Sequence, residues 1–123
     1  MITITKIFEF EASHHLPYHE GACHNLHGHS YKLEVTVGGE RKADTEDPEC
    51  GMIMDFSNLK DIVGKRIIRK VDHSNLNDHW HNPTAEIMVQ DFANIIKSNL
   101  PHTVRLVSCK LWETSKSYAE YRP

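Results

Sequence analysis

Between Leu33 and Val37 the chain alternates apolar Leu33, Val35 and Val37 with polar Glu34 and Thr36. A period of two restricts such a segment to a β-strand with one buried face. Run backwards, the same step reaches Tyr31, His29 and His27. Near the start of the chain, Ile4, Phe8, Phe10 and Ala12 share a parity, and the next step of two is His14. Successive side chains of a strand point to opposite faces, so antiparallel pairing of the two segments turns His14, His27 and His29 into one interior. A single histidine on an apolar face is usually a satisfied core residue, but three on adjacent strands form a ligand set. Three neutral imidazoles with no fourth protein ligand in view suit a catalytic Zn2+ that keeps a position open. The absence of a carboxylate completing a facial triad favours zinc over iron or copper.

The same reading predicts strands over Met1–His14 and His27–Gly38, with a loop from His15 to Leu26 marked by Pro17 and Gly21. Gly39–Gly51 reads as a polar hairpin end and the least structured part of the chain. Asp55 is a plausible N-cap for a helix on which Phe56, Leu59, Ile62, Val63, Ile67 and Val71 recur at helical spacing. Asp72–His81 reads as a loop. A second helix is predicted from Asn82-Pro83, with Asn as cap, Pro at the first helical position, and a stripe of Ala85, Met88, Phe92, Ile95 and Ile96. Thr103–Glu113 and Tyr118–Arg122 complete the pattern as a third strand and a short fourth. The expected class is α+β, ordered ββααββ: a four-stranded antiparallel sheet with both helices on one face. Its open edges predict a homo-oligomer.

A length of 123 residues suits one domain spanning 1–123. The formal charge of −3 argues against a nucleic-acid binder that relies on a broad basic surface, while leaving room for a locally basic pocket and an anionic small substrate. The start lacks the apolar core of a signal peptide, and no apolar run is long enough to span a bilayer. Three cysteines, Cys23, Cys50 and Cys109, are an odd count that predicts free thiols and a cytoplasmic location.

Cys23, four residues before His27 in a polar loop, is the candidate for proton abstraction or nucleophilic attack, because a nearby histidine or cation supplies thiolate. Cys50 and Cys109 read as small buried hydrophobes. Asp72-His73 pairs a carboxylate with an imidazole, a combination that can carry a proton, and it matters only if folding carries it to Cys23. Glu113 shares strand parity with Val107, Cys109 and Leu111. Spacing alone leaves two readings, a buried carboxylate awaiting a ligand's N–H donors or a strand already emerged into solvent. Glu86 reads as a complement to a helix N-terminus. His15, His19, His24, His79, His81 and His102 read as solvated.

At this point a set of motifs runs in order along nearly the whole chain: Phe10-Glu-Ala-Ser-His14-His-Leu-Pro, Cys23-x-x-x-His27-Gly-His29-Ser, Met54-Asp55-Phe56-x-x-Leu59-Lys60, Asp72-His73-x-x-Leu76-Asn77, Asn82-Pro83-Thr84-x-Glu86 and Trp112-Glu113-Thr114. The set resembles the 6-pyruvoyltetrahydropterin synthase family, and within it the carboxy-forming branch of queuosine biosynthesis. The three-residue gap between Cys23 and His27 is similar to that branch, and Cys23 stands where an aldolase-like branch carries Glu.

The resemblance implies the tunnelling fold (T-fold), whose subunits join sheets into a barrel, typically a hexamer of two trimers. It implies zinc on His14, His27 and His29, Cys23 as proton acceptor, and Asp72 and His73 as its relay. It implies Glu113 on the N–H edge of a pterin, with Thr84 and Glu86 also on the substrate side. The implied activity is a carbon–carbon lyase acting on 7,8-dihydroneopterin triphosphate. Two alternatives stand beside it: formation of 6-pyruvoyltetrahydropterin from the same substrate, and a non-catalytic pterin-binding module whose zinc is closed by Cys23.

Overall fold

In the computed structural model, which describes residues 1–43 and 45–123, the two alternating segments form long strands β1 (Thr3–His14) and β2 (His27–Gly39). They pair antiparallel in a register that sets Phe10 against Tyr31, Ala12 against His29 and His14 against His27. Phe8, Phe10, Ala12, Tyr31, Leu33, Val35 and Val37 are buried on the shared face. Phe10 stacks on Tyr31 with ring centroids 4.9 Å apart. It meets Phe92 edge-on at 6.3 Å.

Helix α1 (Phe56–Val63) is capped by Asp55, whose Oδ1 accepts the Ser57 N–H at 2.7 Å. It runs through a π-helical turn (Gly64–Ile68) into the short α2 (Arg69–Val71). Leu59, Val63, Ile67 and Val71 are all at most 1% exposed and recur every fourth residue. On a straight α-helix such a step rotates the stripe by about 40° each time, because four residues exceed one turn of 3.6. The wider π turn takes up that drift and keeps the stripe against the sheet.

Helix α3 (Ala85–Asn99) buries Ala85, Met88, Val89, Phe92, Ala93 and Ile96. Its cap is Thr84, whose hydroxyl accepts the Ile87 N–H at 3.2 Å, and not Asn82 as the sequence suggests. The Pro83 carbonyl is turned away to the sheet, where it accepts from His14, so the helix begins two residues later.

The sheet has five strands in the order β3-β1-β2-β4-β5. Strands β4 (Val104–Thr114) and β5 (Ser117–Tyr121) continue it antiparallel. The strand missing from the four-stranded expectation is β3 (Ser74–Asn75), which pairs parallel with Ala12 and Ser13 inside the predicted Asp72–His81 loop. Two residues carry no readable periodicity. Asn77 extends the ladder with its side chain: Oδ1 accepts the His15 N–H at 2.8 Å, and Nδ2 donates to the His15 carbonyl at 3.0 Å. Strand β4 carries two irregularities. Thr36 pairs with Ser108 and Val37 with Leu106, leaving Val107 unpaired. The parity counted back from Glu113 therefore holds for Leu111 and Cys109 but shifts at Val107, and Leu106 and Val104 are the buried residues beyond it. Trp112 pairs with Tyr118 and Thr114 with Ser117, leaving Glu113 as the second unpaired residue.

The polar connection after β2 is not a hairpin end but an ordered clasp leading to α1; Asp44, within it, lies outside the described residues. Glu49 Oε1 takes the Lys42 ammonium at 2.8 Å. Its Oε2 accepts the Asp55 N–H at 2.7 Å and the Asn58 amide at 3.0 Å. The Lys42 bond, followed by the Asp55 N–H, lowers the Glu49 carboxyl from its ordinary 4.5 to about 2. A depressed folded-state value stabilises the fold above the ordinary value and loses that contribution as pH falls through the folded one. Glu49→Gln is expected to cost about 1 kcal/mol at pH 7, allowing for solvent screening. The difference from wild type should close between pH 4.5 and about 2, measured by urea unfolding across that range.

Candidate metal centre and active-site cleft

Register brings His14 directly opposite His27, and His29 follows one step along the same face. Ring centroids lie 4.6 Å apart for His14–His27, 5.2 Å for His14–His29 and 4.8 Å for His27–His29. The Nε2 atoms of all three are buried with no hydrogen-bond partner among the described residues. Buried polar atoms are otherwise almost always paired, so three unpartnered nitrogens converging on one point mark a place for an ion.

The other ring nitrogens explain why Nε2 faces inward. His14 Nδ1 lies 2.9 Å from the Pro83 carbonyl, and His27 Nδ1 lies 2.7 Å from the Asn25 carbonyl. A carbonyl only accepts, so each Nδ1 carries the hydrogen and each Nε2 keeps its lone pair for a metal. Burial lowers the pKa of His14 and of His29, against the opposing pull of Pro83 and Glu113 on the first and of Glu113 on the second. Both rings therefore stay neutral, as metal ligation requires, further into acid than a free imidazole. The donor set fits a divalent metal.

Glu113 joins this group. It points inward, its side chain is 28% exposed, and Oε1 sits 3.1 Å from His29 Nε2 without making an aligned hydrogen bond. One ligand atom from each of His14, His27, His29 and Glu113 lies within 4.8 Å of the others. The carboxylate faces the histidines while staying partly exposed, which corrects the expectation of an all-imidazole set with no fourth protein ligand in view. The unpaired position on β4 is what aims the carboxylate.

Cys23 lies in a short 3-10 turn (Ala22–His24), half-buried, where its carbonyl accepts the Leu16 N–H at 2.8 Å. It is not part of the four-residue group among the described residues; Glu113 takes that place. Asp72 and His73 do form a pair, Oδ1 to Nδ1 at 3.0 Å. Both are tied to the edge of β1: Asp72 Oδ1 accepts the Glu11 N–H at 3.0 Å, and the His73 N–H donates to the Glu11 carbonyl at 2.6 Å. The Glu11 bond, then His73, holds the Asp72 carboxyl below its usual range. His73 has φ +56°, a left-handed backbone that a non-glycine residue adopts at a cost, and its side chain is 79% exposed. It lines a groove of about 500 Å³ with Glu11, Ser13 and Ser30, residues of the sheet face opposite the buried one, and with His29 of the histidine group. Cys23 is not among the walls of that groove.

A second cleft of about 460 Å³ is walled by Glu86, Glu113, Thr114, Tyr118 and Glu120, where the start of α3 meets the β4–β5 turn. Thr84 is adjacent, but its hydroxyl is committed to the helix cap. His79 and His81 are engaged separately, with the Lys70 carbonyl and the Tyr18 hydroxyl. Cys109 is fully buried, its thiol pushed up to about 12 by desolvation, as an inert core residue should be. Sequence reasoning missed the orienting carbonyls of Asn25 and Pro83, which leave no mark in residue type. It also missed Tyr118, whose aromatic side chain beside a turn is too common a signal.

The profile of the 6-pyruvoyl tetrahydropterin synthase family matches residues 3–123. The chain is 41% identical over 124 residues to a 6-carboxy-5,6,7,8-tetrahydropterin synthase from Synechocystis sp., covering 98% of this chain and 93% of that one. It is 38% identical over 104 residues to a dihydroneopterin monophosphate aldolase from Pyrococcus furiosus, covering 85% and 82%. Among solved structures, 6-pyruvoyl tetrahydropterin synthase from Caenorhabditis elegans superposes with a TM-score of 0.82 at 26% identity, covering 99% and 95%.

Proposed function

The chain belongs to the 6-pyruvoyl tetrahydropterin synthase family of pterin-processing enzymes, and from that premise we propose that it is a zinc-dependent 6-carboxytetrahydropterin-forming lyase of queuosine biosynthesis. The reaction takes 7,8-dihydroneopterin triphosphate and water to 6-carboxy-5,6,7,8-tetrahydropterin, acetaldehyde and triphosphate. The observation that carries the metal half of this reading is the trio of buried, unpartnered Nε2 atoms on His14, His27 and His29.

Those three residues would hold the ion, which would supply Lewis acidity toward the vicinal side-chain hydroxyls of the substrate. Glu113 and Glu86, on one cleft, accept hydrogen bonds from the N–H edge of the ring and set its orientation. Thr84 serves the site by starting α3 where Glu86 faces the cleft. Cys23, as thiolate, takes a proton from a side-chain carbon, and His73 exchanges protons with it. The 3.0 Å contact with Asp72 orients the His73 ring and fixes its tautomer. His73 lines a groove that Cys23 does not line, and the reading therefore has it act on the Cys23 of a neighbouring subunit. The assembly proposed is a homohexamer of two trimers, built by pairing the open sheet edges. No redox cofactor enters, since the rearrangement is internal to the substrate.

Turnover of 7,8-dihydroneopterin triphosphate with mass analysis of the pterin and an enzymatic acetaldehyde assay tests the proposal. Acetaldehyde in a one-to-one ratio with a 6-carboxy product is expected. A 6-pyruvoyl product without acetaldehyde would assign the chain to the pyruvoyl-forming reaction, and no turnover would leave the non-catalytic module.

A further inference from the structure

Glu113 occupies a position with two demands on it. Its carboxylate lies among the three unpartnered imidazole nitrogens, 3.1 Å from His29 Nε2. The same side chain walls the cleft of about 460 Å³ beside Glu86 and Tyr118. A pterin carries its N–H edge and its side-chain hydroxyls at opposite ends of a bicyclic ring, and that length exceeds the 4.8 Å within which the four ligand atoms lie. One carboxylate cannot hold the N–H edge while staying inside the histidine group. Its place in β4 permits movement: Glu113 is the residue left unpaired between the Trp112–Tyr118 and Thr114–Ser117 pairs, free of a cross-strand partner on β5. Among the described residues its carboxylate makes no aligned hydrogen bond that would pin it in either place.

We infer that Glu113 is a displaceable fourth ligand: it closes the His14–His27–His29 metal centre while the cleft is empty, and moves to the cleft when a pterin enters. This rests on the metal reading proposed above and adds to it. A carboxylate that caps the ion keeps water and adventitious anions off the open position. Its release then couples opening of the metal to correct seating of the ring, so that ligands lacking the N–H edge leave the centre closed.

The test uses the full-length protein loaded with Co2+ in place of zinc, read by its visible ligand-field spectrum and by chelator competition. Glu113→Gln is expected to change the resting spectrum and to weaken metal affinity by about tenfold or more, with far-UV circular dichroism unchanged. Glu113→Asp, shorter by one methylene, should fall between. Adding 7,8-dihydroneopterin should shift both spectra as its hydroxyls reach the ion, with the change from carboxylate release present in wild type and missing from Glu113→Gln. Wild-type affinity and spectrum in Glu113→Gln would overturn the inference while leaving the three-histidine centre standing. A wild-type spectrum unmoved by bound 7,8-dihydroneopterin would overturn the displacement. A wild-type protein that takes up no Co2+ would remove the metal reading and this inference together.

Discussion

Cys23→Ala is expected to lose turnover by on the order of a thousandfold while keeping its full complement of metal, because a group that moves protons in the chemistry is removed and no metal ligand is touched. The structural basis is the separation of roles. Among the described residues the group able to hold a metal is His14, His27, His29 and Glu113, and Cys23 stands outside it. The side chain is half-buried in a short turn held by its backbone, through the bond from Leu16 to the Cys23 carbonyl, so truncation to alanine leaves the turn intact. Zinc content and single-turnover rate should be measured on the same preparation. Loss of zinc along with activity would make Cys23 a ligand, as the non-catalytic module requires, and normal turnover would remove it from the chemistry.

The second large effect is expected at His27. His27→Ala should weaken metal binding by about a hundredfold or more, since one of three imidazoles is lost and only His14, His29 and the displaceable Glu113 remain. The stability consequence has a distinctive sign. In metal-free protein the Nε2 atoms of all three rings are buried without partners, so deleting one of them removes a penalty as well as some packing. The metal-free stabilities of wild type and variant should therefore be close. Added zinc should raise the wild-type melting temperature, with about 2.7 kcal/mol expected at a free concentration one hundred times the wild-type dissociation constant, and should stabilise the variant by no more than about 0.4 kcal/mol at the same concentration. Thermal unfolding with and without zinc checks both halves. Equal stabilisation of the two proteins by zinc would place the ion elsewhere.

The same residues show how far a linear reading reaches. The parity that ran from Val37 back to His27 and from Ile4 to His14 is realised residue for residue in β1 and β2, because burial of one face of a two-period strand leaves no other register. The helical stripe from Leu59 to Val71 was also legible. The π turn that keeps it aligned was not, because it answers to the sheet beneath. Where the chain is paired by only two residues, as at Ser74 and Asn75, no period exists to be read. Glu49 looked like one more acidic residue in a polar connection, yet it gathers Lys42, Asp55 and Asn58 into a clasp.

What the amino-acid order determined alone is which side chains of β1 and β2 face the interior, hence the three histidines, since alternation is a local property of the backbone; it left the direction of Glu113 open. Tertiary structure decided how those groups can act. The carbonyls of Pro83 and Asn25 orient two rings, an unpaired residue on β4 aims a carboxylate at the third, and the edge of β1 holds Asp72 and His73 on another groove. The Pro83 and β1-edge contacts join segments far apart in the chain and the Asn25 carbonyl acts across two residues, but all of them use backbone groups that every residue shares, and so they are written in no residue's identity.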